Sequence, residues 1–197
     1  AGCPVSALRV SYVGELGWEL HLPTEYAAAV NDAIDHAGAI HALRNAGYRA
    51  IETLRLEKGF RAWSADIGPD HTSFEAELGF AVKLDTNLAF KGRDALMAQA
   101  SDGVKKRMTI FTTAPDVILL GRETIYRNGV RVGWLSSAGF GHTIGKSIGM
   151  GFVRSNQVID RDFILSGTYE LEVASQRVPC KAQLSPLYDP EMLRVRG

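Results

Sequence analysis

The chain has 197 residues with 22 basic and 22 acidic side chains, and 46% of its residues are hydrophobic. This is the balance of a folded globular protein, and the formal net charge of zero argues against a general nucleic-acid binder. No apolar run approaches the roughly 20 residues that span a bilayer, so no membrane partner is expected. The chain opens with Ala1-Gly2-Cys3-Pro4, without a methionine or a targeting segment, and we expect it to be part of a longer protein.

A β-hairpin and a helix are predicted at the N-terminal end. Apolar residues alternate with polar ones over residues 8–22, which predicts two strands joined by a tight turn. Thr24 is a candidate N-cap for the helix that follows, and Gly38 is its terminator. The apolar stripe of this helix consists of Tyr26, Val30, Ile34 and Ala37.

A second helix and a loop come next. Residues 46–58 predict a helix that ends at Gly59. Within it, Glu52 lies three residues from both Arg49 and Arg55, which predicts ion pairs on the helix surface. Residues 64–72 form a loop by composition.

The rest of the chain changes from mixed elements to strands alone. Residues 79–84 predict a strand, and residues 91–97 predict a short linking helix. Asn128-Gly129 is a strong type I′ hairpin signal. The strands expected around and after it lie at 108–112, 123–126, 130–135, 148–153, 168–173 and 178–184. They favour a small antiparallel barrel or sandwich, with an α+β part over 1–85, a linking helix within 86–105 and an all-β part over 106–197.

Two nucleotide-binding motifs are nearly present. Gly145-Lys146-Ser147 has the ending of a phosphate-binding loop, but that loop needs a glycine where Phe140 stands. Gly149-Met150-Gly151 lacks its third glycine because Arg154 occupies that position. Both segments have strand-like patterns, so no nucleotide site is predicted.

No metal site or catalytic group follows from residue spacing. The acidic loop offers Asp66, Asp70, His71, Glu75 and Glu77, whose spacing matches neither a zinc-binding helix nor a calcium loop. None of the five histidines lies in a catalytic frame. Cys3 and Cys180 form neither a disulfide framework nor a metal motif, which indicates a reducing compartment.

The hairpin holds the remaining candidate for a binding site. Strand alternation places Glu19 and His21 on one face, opposite Trp18 and Leu20. A carboxylate beside an aromatic ring can accept two adjacent N–H groups of a flat heterocycle. On pattern alone, a solvent-facing Glu19 on an edge strand is the favoured interpretation.

The hairpin also opens a series of motifs that belong together. Tyr12-Val13-Gly14-Glu15-Leu16-Gly17-Trp18-Glu19 is followed in order by residues 47–59, 90–96, 132–137 and 186–190. The series resembles the folate-binding aminomethyltransferase family, typified by the glycine-cleavage T-protein, over nearly the whole chain. The resemblance implies an α+β fold, in which part of a ferredoxin-like folate-binding domain is followed by a small antiparallel β-barrel.

Within this family, residues 45–51 and 57–61 are most similar to the C-terminal folate domain of sarcosine and dimethylglycine dehydrogenases. Dedicated T-proteins usually carry an arginine where this chain has Ile51. The resemblance therefore implies a flavoenzyme whose upstream FAD domain, outside this chain, oxidises an N-methyl amine. The present chain would capture the carbon on tetrahydrofolate as the 5,10-methylene derivative. Two alternatives stay open: a T-protein-like aminomethyltransferase, and a non-catalytic folate or protein-interaction module.

The resemblance also implies five cofactor-binding residues. Glu19 would hold the N–H groups of the pterin, and Tyr12 would line the same pocket. Glu15 would join the site or only shape the turn. Tyr188 would close over the folate, and Phe60 would add an aromatic face. Tyr12 as a strand aromatic and Phe60 as a core residue are the structural alternatives.

Other residues are expected to be structural. Arg55 and Glu57 are interpreted as a structural pair. The catalytic aspartate of the family would lie upstream of the hairpin, so no catalytic residue is assigned and the chain alone is expected to be inactive. The compartment implied is the bacterial cytoplasm or the mitochondrial matrix.

Overall fold

A computed structural model describes residues 2–197, which form two parts that meet along one helix. The strands are β1 (Ser6–Leu8), β2 (Glu19–His21), β3 (Lys106–Thr113), β4 (Thr124–Arg127), β5 (Val130–Gly141), β6 (Lys146–Arg154), β7 (Tyr169–Val173) and β8 (Gln176–Gln183). The helices are α1 (Ala27–Gly38), α2 (Tyr48–Glu57), α3 (Arg93–Asp102), α4 (Arg161–Leu165) and α5 (Leu193–Arg196). The α+β fold class with an antiparallel barrel is confirmed.

The predicted N-terminal hairpin is present, with shorter strands. β1 pairs antiparallel with β2, and Leu8 lies opposite Glu19. The helix α1 ends at Gly38 as predicted, but Val30 is its only buried residue and Ile34 is 40% exposed. Three-residue strands extend about 10 Å, whereas a twelve-residue helix is about 18 Å long. Most of the apolar stripe of α1 therefore stays at least partly exposed in the described chain.

The predicted second helix is confirmed, but its charges are not on the surface. Gly59 follows the helix with φ of +68°, a left-handed conformation that favours glycine. Arg55 is 1% exposed, so the prediction of a surface pair between Glu52 and Arg55 is wrong in its placement. The Arg55 guanidinium does bind Glu52, but it also donates to Ser137 of the barrel strand β5.

The strand predicted at 79–84 is wrong. A 3-10 turn occupies Gly79–Ala81, and Phe80 is 82% exposed. A strand needs a neighbour for its carbonyl groups, and here Arg93 donates to the carbonyls of Lys83 and Leu84 instead, at 3.0 and 2.8 Å. The helix predicted at 91–97 is confirmed as α3, and it continues to Asp102.

The C-terminal strands close into a barrel in the order β3-β6-β5-β4-β7-β8, all pairs antiparallel. The predicted strands are confirmed. Because the sheet closes on itself, the fold is a barrel and not a sandwich. Asn128 and Gly129 have φ of 49° and 80°, as a type I′ turn requires. The core of the barrel consists of Phe111, Leu119, Ile125, Leu135, Val153, Ile159, Ile164, Tyr169 and Leu171.

The glycines of the two nucleotide-like motifs serve the barrel. A Cβ at Gly149 would lie 2.4 Å from Leu135 Cδ1, and one at Gly151 would lie 2.3 Å from the Trp134 carbonyl oxygen. Gly145 has φ of +64° in the turn before β6. Gly149 and Gly151 thus permit close strand packing, and Gly145 permits the turn. The strand β6 follows this turn, where a phosphate-binding loop would have a helix.

The helix α2 joins the two parts through buried contacts. Leu56 packs in a second cluster with Met108, Ile110, Ile148, Met150 and Phe152. Arg55 Nη1 donates to Asp66 Oδ2 at 2.6 Å, and Arg55 Nη2 donates to Ser137 Oγ of β5 at 2.7 Å. Ser136 Oγ donates to the other oxygen of Asp66. The arginine therefore ties α2, the 64–72 loop and the barrel into one network.

Glu57 has different partners from Arg55. Its carboxylate accepts the backbone N–H groups of Thr143 and Ile144 at 2.7 and 2.9 Å, which fixes the β5–β6 turn on the end of α2. The prediction that Arg55 and Glu57 pair with each other is wrong. Both residues have structural roles, but Arg55 binds Asp66 and strand β5, whereas Glu57 binds the β5–β6 turn.

Removing one partner of the buried pair should destabilise the fold strongly. We expect Asp66→Ala to lower the free energy of unfolding by about 3 kcal/mol, the lower end of the cost of breaking a buried pair, because only the partly exposed Glu52 then offsets the Arg55 charge. Urea unfolding with a fixed m-value measures this change. Glu170→Ala, which breaks an exposed pair with Arg177, is the control and should cost about 0–1 kcal/mol. Equal effects of the two variants would contradict the account.

Candidate functional site

The C-terminal loop is held on the end of α2. The backbone N–H groups of Leu187 and Tyr188 donate to the carbonyl of Glu57 at 3.1 and 3.0 Å. Lys58 Nζ donates to Asp189 Oδ2 at 2.8 Å and also binds the Asp189 carbonyl oxygen. The side chains of Lys58 and Asp189 are 0% and 9% exposed. The pair is thus shielded from water, where an ion pair is stronger than on the surface.

The turn of the N-terminal hairpin lies on the same lysine. Gly14 has φ of +80°, and a Cβ there would lie 2.9 Å from Lys58 Cδ. The glycine therefore lets the backbone pass directly over the lysine stem. Next to it, the hydroxyl of Tyr188 donates to Glu15 Oε1, and this hydrogen bond raises the pKa of Tyr188.

A cavity of about 600 Å³ opens between these segments. Tyr12 and Phe60 present nearly parallel rings, with centroids 6.0 Å apart and 12° between their planes. The wall is completed by Ser11, Lys58, Arg61, Ile67, Glu77, Leu78, Phe80, Leu184, Ser185, Pro186, Pro190 and Met192. We call this space the Tyr12 cavity. Its volume and mainly apolar lining are those of a small-molecule pocket.

Most charged side chains that line the Tyr12 cavity already have partners within the protein. Arg61 Nε donates to the Ala76 carbonyl at 3.0 Å and Nη1 donates to the Gly59 carbonyl, and burial lowers the pKa of Arg61. Glu77 pairs with Arg107 at 2.6 Å. Burial raises the pKa of Tyr12, so its phenol stays protonated and can donate at neutral pH. The cavity therefore offers a ligand aromatic ring faces and hydrogen-bond donors.

The predicted site residues fall into three places. Tyr12 and Phe60 lie together in the cavity wall, and Glu15 and Tyr188 are bonded to each other beside it. Glu19 lies apart on β2, with a side chain that is 59% exposed and 3.5 Å from His21 Nε2. That contact agrees with the predicted shared face of Glu19 and His21. The folate roles of all five residues stay predictions.

Two residues that build the site were not anticipated. Lys58 and Asp189 form the pair that brings the chain ends together. A lysine at a helix C-terminus is ordinary in sequence, because it matches the helix dipole whether or not it is buried. Asp189 belongs to the sequence motif at residues 186–190, next to Tyr188. This aspartate is the sequence signal from which the ion pair with Lys58 could be predicted.

The acidic loop is occupied by ion pairs. Asp66 binds Arg55, Glu75 lies 3.2 Å from Lys106 Nζ, and Glu77 binds Arg107. Among residues 2–197, no group of three or more His, Cys, Asp or Glu side chains has the arrangement of a metal site. No helix in the same range is both long and apolar enough to cross a membrane.

Comparison with known proteins identifies both parts of the fold. Residues 1–86 match the family model of the GCVT N-terminal domain, and residues 105–189 match that of the glycine cleavage T-protein C-terminal barrel domain. The chain belongs to the glycine cleavage T-protein family. Both domains are in the order that the sequence resemblance implies.

The relatives include two dehydrogenases of N-methylated glycines by name. The chain is 43% identical to mitochondrial sarcosine dehydrogenase of Mus musculus, covering 100% of this chain and 22% of that protein. It is 41% identical to mitochondrial dimethylglycine dehydrogenase of Homo sapiens over 76% of this chain and 17% of that protein. The chain thus spans about a fifth of the length of these relatives.

A solved structure agrees with the fold. The glycine cleavage system aminomethyltransferase T from Bartonella henselae superimposes with a TM-score of 0.78 at 24% identity, covering 93% of this chain and 50% of that one. This similarity supports the shared architecture of the α+β part and the barrel.

The Asp189 carboxylate should make the C-terminal loop sensitive to acid. Its pKa is lowered, mainly by Lys58 and also by the backbone N–H groups of Leu193 and Arg194. Because the folded pKa lies below the unfolded value of about 3.9, the stabilisation is present above that pH and is lost as the pH falls further. Hydrogen exchange, corrected for intrinsic rates, should show residues 187–194 opening below pH 4.

The matched control is Asp189→Asn. It should leave the same residues open at neutral pH and remove the acid-dependent step. Protection of residues 187–194 that stays unchanged in the variant would contradict the role of this pair.

Proposed function

We propose that this chain is the tetrahydrofolate-binding part of a sarcosine or dimethylglycine dehydrogenase-type enzyme. In this proposal it captures the carbon of oxidative N-demethylation as 5,10-methylenetetrahydrofolate. The observation that carries the proposal is the Tyr12 cavity, with two parallel aromatic rings and the Tyr188–Glu15 bond beside it. The 43% identity to sarcosine dehydrogenase over the full chain supports this branch of the family.

The residues present fit a folate. A cavity of about 600 Å³ lies within the range of pockets for ligands of this size, roughly 300–1,000 Å³. The rings of Tyr12 and Phe60 would stack on a flat heterocycle, and Tyr188 would hold the loop closed through Glu15. Glu19 does not line the Tyr12 cavity, and its proposed role of accepting pterin N–H groups comes from the family resemblance of the hairpin motif.

The exposed side of the N-terminal part fits a larger protein. Trp18 is 60% exposed and Ile34 is 40% exposed, and Leu20 is also exposed. Exposed apolar side chains of this size, on the hairpin and on α1, are typical of an interaction surface. We infer that the upstream flavin-bearing region covers this surface and supplies the carbon. Ile51, where dedicated T-proteins usually carry an arginine, favours this reaction over lipoyl-arm transfer.

The first test addresses the aromatic wall in the full-length enzyme. Tyr12→Leu should weaken tetrahydrofolate binding about tenfold, because one stacked ring contributes about 1–3 kcal/mol. Tyr126→Leu, the same change on β4 outside the cavity, should leave affinity unchanged. Calorimetry measures both, and reduction of the flavin by sarcosine should be unaffected in each variant. Equal affinity of the two variants would remove the Tyr12 cavity from the site.

The second test addresses Glu19. Glu19→Gln in the full-length enzyme should weaken tetrahydrofolate binding by roughly 1.5–3 kcal/mol, the loss of charge-assisted hydrogen bonds. Unchanged affinity would place Glu19 outside the site. The 197-residue chain alone is expected to bind folate weakly or not at all. Micromolar binding by this chain would mean that the site needs no upstream residues.

The reaction itself is tested by product analysis. The full-length enzyme with sarcosine and tetrahydrofolate should form 5,10-methylenetetrahydrofolate in place of free formaldehyde. An aminomethyltransferase would require an aminomethyl-lipoyl donor instead, and a non-catalytic module would leave formaldehyde release unchanged by folate.

A further inference from the structure

Three neighbouring strands of the barrel each carry an arginine at the same end. Arg127 ends β4, Arg131 is the second residue of β5, and Arg154 ends β6. The strands are adjacent in the order β6-β5-β4. The three arginines line one cavity of about 580 Å³, which we call the arginine cavity. It shares no lining residue with the Tyr12 cavity.

Among the described residues, the arginines of the arginine cavity have no carboxylate bound to them. No aspartate or glutamate lines it, and none of its three arginines forms an ion pair within residues 2–197. The acids on adjoining elements have other partners: Glu170 pairs with Arg177 at 3.5 Å, and Glu75 pairs with Lys106 at 3.2 Å. In a chain with equal numbers of acidic and basic residues, such a cluster is a local exception.

Two of the guanidinium groups are fixed in place by aromatic rings. Arg127 lies 3.9 Å from the ring centroid of Phe163, and its Nε and Nη2 donate to the Phe163 carbonyl at 3.1 and 2.8 Å. Arg154 lies 4.3 Å from the ring centroid of Trp134, and burial lowers the pKa of Arg154. Arg131 forms no hydrogen bond or ion pair in the described chain and can move to meet a ligand. The aromatic stacking of Arg127 and Arg154 reduces the conformational entropy that these two side chains lose when they bind a ligand.

We propose that the arginine cavity binds a small phosphorylated molecule. Each guanidinium presents donors in a planar fork that matches two oxygens of an anion. Arg127 already uses Nε and Nη2 on the Phe163 carbonyl, and Arg154 Nη1 donates to the Phe152 carbonyl at 3.3 Å. A ligand would therefore meet the full fork of Arg131 and the remaining N–H groups of the other two arginines. Donors from three sides suit a phosphate, which has at least three acceptor oxygens and up to two charges, better than a single carboxylate with two oxygens. A bound phosphate would also offset the cost of holding Arg154 away from water. This site is independent of the proposed folate function.

Pyrophosphate is the probe for this proposal. Calorimetry of the 197-residue chain at about 0.15 M salt, where the screening length is about 8 Å, should show saturable one-to-one binding. Arg131→Ala should weaken it about tenfold, the loss of a charge-assisted contact. Arg131 has no structural partner, so the variant should unfold at the same temperature as the parent chain.

The controls separate a built site from general charge attraction. Arg44→Ala removes one exposed arginine far along the chain and should leave pyrophosphate affinity within about twofold, as a screened charge should. Arg131→Lys keeps the charge but not the fork and should fall between the parent and Arg131→Ala. Citrate should bind more weakly than pyrophosphate. The absence of binding, equal losses in the two alanine variants, or equal affinity for citrate would each overturn the proposal.

Discussion

The buried pair between Arg55 and Asp66 is the interaction on which the rest of this structure depends. Its two side chains are 1% and 0% exposed, and each offsets the cost of burying the charge of the other, with Glu52 as a second partner of Arg55 at the helix surface. The pair also bonds Ser136 and Ser137, so strand β5 becomes part of the same network. A charge that needs partners from three segments fixes the position of α2 on the barrel more specifically than apolar packing alone would.

The residues that follow Arg55 use this fixed position to assemble the candidate site. Leu56 enters the core, Glu57 holds the β5–β6 turn and the C-terminal loop, and Lys58 binds Asp189 beneath Gly14. Together with Arg55, these residues are four in a row at the end of α2, and they place segments from both ends of the chain around the Tyr12 cavity. The aromatic faces that would bind a ligand are carried by loops, and the charged helix end supplies their rigidity.

The strands and turns of this chain can be predicted from its sequence, whereas its long-range contacts cannot. Alternation and the Asn128-Gly129 turn are enough to predict the barrel strands, because each is set by near neighbours. The strand predicted at 79–84 had the right residues but no partner strand. The burial of Arg55 and Lys58 depends on contacts 82 and 131 residues away, and no local pattern reports such contacts. Glu15, Tyr188 and the aromatic pair were named through family resemblance.

The most direct test of the proposed folate site is hydrogen exchange, with and without tetrahydrofolate, of the longer dehydrogenase-type protein proposed to contain this chain. Folate should increase protection in two segments far apart in sequence, residues 10–18 and 185–192, because both border the Tyr12 cavity. Exchange in the barrel strand β4 should not change. Protection that appears only elsewhere, or in one of the two segments without the other, would contradict a folate site built on the end of α2.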